Sequence, residues 1–96
     1  MSLRVVAIIT SAPGHEDEVA GALTTLAEGT RTETGCRSYE LFRSGADAAA
    51  FVTVEEWDGQ DDLDAHMQGI NVAAALAAVG GALAGPPVIH PLTPIA

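Results

Sequence analysis

Residues 3–10 read LRVVAIIT, a short run rich in β-branched side chains that stops at the turn cluster SAPG. Such a run is a strand. Its two faces are Leu3, Val5, Ala7, Ile9 and Arg4, Val6, Ile8, Thr10. Both faces are largely apolar, which a strand with one side in water does not show. Any fold open to this chain must therefore cover that strand from both sides.

Pro13-Gly14 followed by HEDE marks a helix start, with acids in the first turn where the helix dipole favours them. Val19, Ala22, Leu23, Leu26 and Ala27 recur at helical spacing, and the helix should fray after Glu28-Gly29 and be over by Gly35. CRSYELFRS (36–44) alternates like a strand, GADAAA is a loose turn, and FVTVEEW (51–57) is a second strand in a hairpin with the first. One face of 51–57 carries Phe51, Thr53, Glu55 and Trp57. After Asp58-Gly59 a helix starts near Gln60, with Leu63, His66, Met67 and Ile70 on one side. The register continues through Val72, Ala75, Leu76 and Val79 and breaks at Gly80-Gly81. The prolines of PPVIHPLTPI (86–95) restrict it to an edge strand or an arm exchanged between chains.

The order is β-α-β-β-α-β within one domain spanning 1–96, an α+β, ferredoxin-like antiparallel sheet with both helices on one face. Those helices cover only one side of the first strand. A second subunit packing sheet to sheet would cover the other, so a homodimer through the open sheet face is expected.

Composition narrows the partners. The chain is 48% hydrophobic and 18% charged, which suits a globular domain, and its net charge is −9, with four basic residues, all arginine. That sign repels phosphate backbones and anionic membrane surfaces, so neither nucleic acid nor membrane is expected. The single cysteine, Cys36, allows no intrachain disulfide and suits a reducing compartment. No signal-peptide pattern opens the chain and the apolar stretch at 72–84 is too short to span a bilayer, so a cytoplasmic location is expected.

Two residues on either side of a strand-to-helix turn carry the functional question. Trp57 ends a strand and His66 lies nine residues later on the buried side of a helix, spaced to face each other across a cleft. Imidazole as a residue type titrates near working pH, which makes His66 a candidate proton-handling group; it is equally readable as a core histidine satisfied by Glu55 or Glu56. Of those two, Glu55 shares the face of Trp57. Trp57 offers a flat wall and an indole N–H for a substrate oxygen, or is core filling. Tyr39 can supply a phenol to the same space, or is structural. Arg37 and Arg43 flank it and pair with substrate oxygens or with carboxylates. His15 and His90 have no metal-like partner spacing, and DDLD reads as a solvated helix start, so no metal site is expected.

The block GCRSYELFRS…FVTVEEWDGQDDLDAHMQG, residues 35–69 with the intervening turn, closely resembles the antibiotic biosynthesis monooxygenase family, the dimeric α+β barrel group. Members read G-C-x-x-Y-E-L, then a strand ending E-x-W, then a D/E-A-L-x-x-H helix. His66 matches the helix histidine and Trp57 the strand-end tryptophan. The resemblance implies a pocket between sheet and helices in each subunit, oxidation by O2 of a quinol or aromatic polyketide with no cofactor, and His66 in the chemistry. Trp57, Tyr39, Glu55, Arg43 and Asn71 would contact the substrate. Many relatives follow the helix histidine with S-P-H-F; here the segment is GINV, with Asn71 in place of the second histidine. Haem-degrading relatives carry an asparagine on the first strand, which LRVVAIIT lacks, so haem degradation is disfavoured. The alternative within the same fold is a module that holds a small aromatic ligand, or dimerises, without turnover.

Overall fold

The computed structural model describes residues 2–96. Four strands, β1 (Leu3–Thr10), β2 (Cys36–Arg43), β3 (Ala50–Trp57) and β4 (Val88–Leu92), form one sheet in the order β2-β3-β1-β4. Every neighbouring pair is antiparallel. The helices α1 (Glu16–Thr30), α2 (Gln60–Met67) and α3 (Ile70–Val79) pack on one face of that sheet, and a 3-10 turn over Gly80–Ala82 follows. This is the ferredoxin-like α+β arrangement the element order predicts. β4 is an edge strand beside β1, which is where its Pro91 can be accommodated, opposite Val5.

The expected second helix is broken. Gln68 and Gly69 bond back to the Asp64 and His66 carbonyls, and the extended backbone of Gly69 starts α3 as a separate element. The single-helix register placed Met67 and Ile70 beside Leu63 and His66 on the buried face. Within α2 only Leu63 and His66 are buried and Met67 is 40% exposed; Ile70, beyond the break at Gly69 that resets the phase, is 82% exposed.

Two apolar clusters fill the space between sheet and helices. One joins Ala7, Ile9 and Phe51 of the sheet to Val19 and Leu23 of α1 and Val79 of α3. The other joins Val5, Tyr39 and Trp57 to Ala27 and Leu63. The segment after α3 returns to the end of β1, where Ala12 N–H donates to Ala82 O and Ala84 N–H to Thr10 O.

The opposite face of the sheet has no helices. Strand register places Phe42, Val52, Ile8 and Val88 side by side across all four strands, with Glu40, Val54, Val6 and His90 in the next row. Ile8, Phe42, Val88 and Leu92 are each more than a third exposed. The two-sided apolarity of β1 thus has helices on one side and an open apolar face on the other.

The turn into β2 depends on one glycine. Gly35 has φ +81°, a left-handed conformation, and a methyl group on it would run into the Asp62 side chain at the start of α2. Gly35→Ala should therefore lower stability by about 1–2 kcal/mol from backbone strain alone, read in urea unfolding. An unchanged midpoint would show that Asp62 and the turn relax without loss.

Candidate functional site

Period-two alternation puts Thr53, Glu55 and Trp57 on the helix-facing side of β3. Glu55 is 3% exposed, and a buried carboxylate needs partners. Its own strand supplies them: Thr53 Oγ1–H donates to Oε2 at 2.6 Å and Trp57 Nε1–H donates to Oε1 at 2.9 Å. Tyr39 lies directly across from Glu55 on β2, while Val5 flanks it on β1. Burial, then the charge of Glu55, pushes the Tyr39 phenol well above its ordinary value, against an opposing interaction with Thr53. Tyr39 therefore stays a neutral hydrogen-bonding phenol at working pH.

From the helix side, α2 delivers His66, 4% exposed, onto the Trp57 ring at 4.8 Å between centroids and near Tyr39 at 5.8 Å. Its Nδ1 lies 2.9 Å from Glu33 Oε1. Asn71 Nδ2–H donates to the other oxygen of Glu33 at 2.7 Å. The partner of His66 is thus neither Glu55 nor Glu56. Glu55 is already occupied by Thr53 and Trp57, and Glu56 points to the other face, where Ser2 donates to it.

Between the two apolar clusters lies a cavity of about 160 Å³. Its floor includes Ala7, Ile9 and Ile89, its walls Leu23 and Leu63, and its helical roof Met67, Val72, Leu76 and Val79. Among the described residues, the only polar side chains lining it are Tyr39, Glu55 and His66. Trp57 stands behind this lining, fully buried, with its N–H committed to Glu55 rather than free for a ligand. Asn71 faces Glu33 and a separate shallow groove between α1 and α3. Arg43 lies at the exposed end of β2 with its guanidinium 4.9 Å from the Phe51 ring centre, and Arg37 pairs with Asp58 at 2.6 Å. The site brings Tyr39, Glu55 and His66 together, backed by Trp57, and leaves Arg43 outside.

Two residues of this site escaped the sequence reading. Glu33 sits in the connection between α1 and β2, where no periodicity assigns a direction. The signal that could have found it is the need of a buried histidine for an acceptor. Thr53 shares a strand face with Glu55 and Trp57, so its contact was readable from alternation alone. Cys36 is half-buried; burial, then Glu33 and Glu55, pushes its thiol up, which keeps it protonated and unreactive. Among the described residues no group of three or more His, Cys, Asp or Glu is arranged to hold a metal ion.

The fold and cavity define a small ferredoxin-like α+β protein with a ligand-sized apolar chamber and three converging polar groups. The chain belongs to the antibiotic biosynthesis monooxygenase family, whose sequence profile matches residues 2–78. Among solved structures it is similar to Rv0793 from Mycobacterium tuberculosis, at 27% identity over 100% of this chain and 97% of that one, with a TM-score of 0.87. It is similar to PA3566 from Pseudomonas aeruginosa at 27% identity, over 99% and 95% of the two chains, with a TM-score of 0.88. A candidate antibiotic biosynthesis monooxygenase from Caulobacter crescentus CB15 is 30% identical over 99% of this chain and 91% of its own, with a TM-score of 0.87. No curated protein matches the sequence. No helix of the described residues is long and apolar enough to cross a membrane.

Proposed function

We propose that this protein is a cofactor-independent monooxygenase that oxidises a quinol or aromatic polyketide-type substrate with O2 in the sheet–helix cavity, working in the cytoplasm as a homodimer joined through the open sheet face. The observation that carries this reading is the convergence of Tyr39, Glu55 and His66, alone among the polar side chains of the described residues, on an otherwise apolar chamber. A deprotonated quinol is electron-rich enough to pass an electron to O2 directly. The resulting semiquinone and superoxide combine at a ring carbon, and loss of water leaves the hydroxylated quinone: quinol plus O2 gives hydroxyquinone plus H2O. The protein must hold the ring, exclude bulk water and accept the proton. His66 is the proton acceptor in this scheme. Glu55 accepts a hydrogen bond from a second hydroxyl, and the neutral Tyr39 phenol donates to the oxygen that gains charge.

Cavity size sharpens the substrate. A cavity of about 150 Å³ is known to take up benzene, and the chamber here is about 160 Å³. That volume matches one ring, so a one-ring hydroquinone should be used faster than a fused polycycle, part of which would lie outside the chamber.

The test is oxygen uptake by purified protein with a one-ring hydroquinone, a naphthoquinol and an anthrone, without added cofactor. We expect uptake above autoxidation, in that order of rate, falling at least about a hundredfold in kcat for His66→Ala. Ligand binding without uptake for all three would establish the alternative, a module that holds a small aromatic without turnover.

A further inference from the structure

We propose that Glu33, Asn71 and Gly29 form a positioning array that fixes the proton of His66 on Nδ1 and so presents its Nε2 lone pair to the cavity. This inference rests on the reading of His66 as the cavity's proton acceptor.

Both oxygens of Glu33 are engaged from donor groups. Asn71 Nδ2 can only donate, and it meets Oε2 at 2.7 Å. The remaining oxygen, Oε1, faces His66 Nδ1 at 2.9 Å. A carboxylate accepts, so the imidazole proton sits on Nδ1. The other ring nitrogen has no hydrogen-bond partner among the described residues, and the ring lines the cavity. A neutral imidazole held this way carries its acceptor lone pair on the cavity side. The aromatic rings of Tyr39 and Trp57 pack against the imidazole, and Glu55 is held off by its own bonds to Thr53 and Trp57. Glu33 is therefore the one carboxylate that bonds the imidazole.

Gly29 completes the array. It lies within α1, where a glycine costs about 1 kcal/mol relative to alanine. Its backbone does not adopt a left-handed conformation, so no turn requires it. What requires it is close approach: a methyl group on Gly29 would collide with the Asn71 side chain. The missing Cβ leaves the space through which Asn71 reaches Glu33. Of the two glycines in α1, Gly29 is the one that Asn71 crosses; Gly21 meets nothing.

The test reads the tautomer directly. Long-range 1H–15N correlation of 15N-labelled protein near pH 8, where imidazole is neutral, should show His66 protonated at Nδ1 and bare at Nε2. Glu33→Ala should move the proton to Nε2 and lower kcat for one-ring hydroquinone oxidation at least about tenfold, with KM changed less than about threefold, since a base in the wrong tautomer loses its role without losing the binding site. Glu33→Gln still offers a carbonyl oxygen to Nδ1–H and should retain the Nδ1–H tautomer and most of the rate. Gly29→Ala, which favours the helix, should keep the fold while displacing Asn71 and shifting the tautomer part of the way, so a failure of Glu33→Ala to fold leaves the idea testable. An Nε2–H or doubly protonated His66 in the unaltered protein, or an unchanged tautomer in Glu33→Ala, would overturn the array. A tautomer switch as described in a protein that oxidises none of the quinols supports the array and removes the monooxygenase reading.

Discussion

Trp57→Ala should lower the free energy of unfolding by about 3–5 kcal/mol, the range for removing a fully buried tryptophan. A domain of this size has only about 5–15 kcal/mol in total, so the variant should be near the limit of folding. Two losses combine. The indole fills the second apolar cluster between Val5, Ala27 and Leu63 and carries the imidazole of His66 on its face. Its N–H is also one of the two hydrogen bonds given to the buried Glu55. Trp57→Phe separates these effects: the ring remains, while Glu55 Oε1 loses its donor at a cost of about 1–3 kcal/mol. Urea unfolding at fixed protein concentration measures both. If Trp57→Phe were as stable as the parent, the Trp57–Glu55 bond would contribute nothing net, and Glu55 would find water from the cavity instead.

Val52→Asp should abolish the proposed dimer. Val52 lies near the middle of the open face, between Phe42 and Ile8 in strand register. A carboxylate there, with no basic side chain directly across either strand pair, costs on the order of 3–5 kcal/mol when buried unpaired in a sheet-to-sheet contact, which weakens association by roughly two to four orders of magnitude. Sedimentation should find the parent protein dimeric at micromolar concentration and the variant monomeric or insoluble. A monomeric parent would show that this face meets something other than a second copy of the chain.

How far the sequence carries is seen best in β1 and in the helices. β1 shows its two apolar faces in the sequence because a strand's alternation survives any tertiary setting, and the helices cover one of them. The same rule ordered Phe51, Thr53, Glu55 and Trp57 on one side of β3, where the structure has them. Helical periodicity failed where the backbone was interrupted: Gly69 resets the phase, and Ile70 leaves the buried side that a continuous helix would give it. The pairing of His66 with Glu33 was out of reach for a different reason. Thirty-three positions separate the two, and Glu33 lies in a connection that has no face until the α1 end meets the α2–α3 junction. Trp57 was legible as a neighbour of His66 but not as the hydrogen-bond donor of Glu55, because its N–H direction is set by the rotamer and not by the strand.

The interruption at Gly69 has one more consequence. His66 lies just before the joint between α2 and α3 and Asn71 just after it, and Glu33 grips both. The carboxylate therefore staples two short helices across their joint, so the placement of α3 and the seat of the imidazole depend on the same side chain. Two elements that the backbone leaves separate are held as one by a residue that belongs to neither.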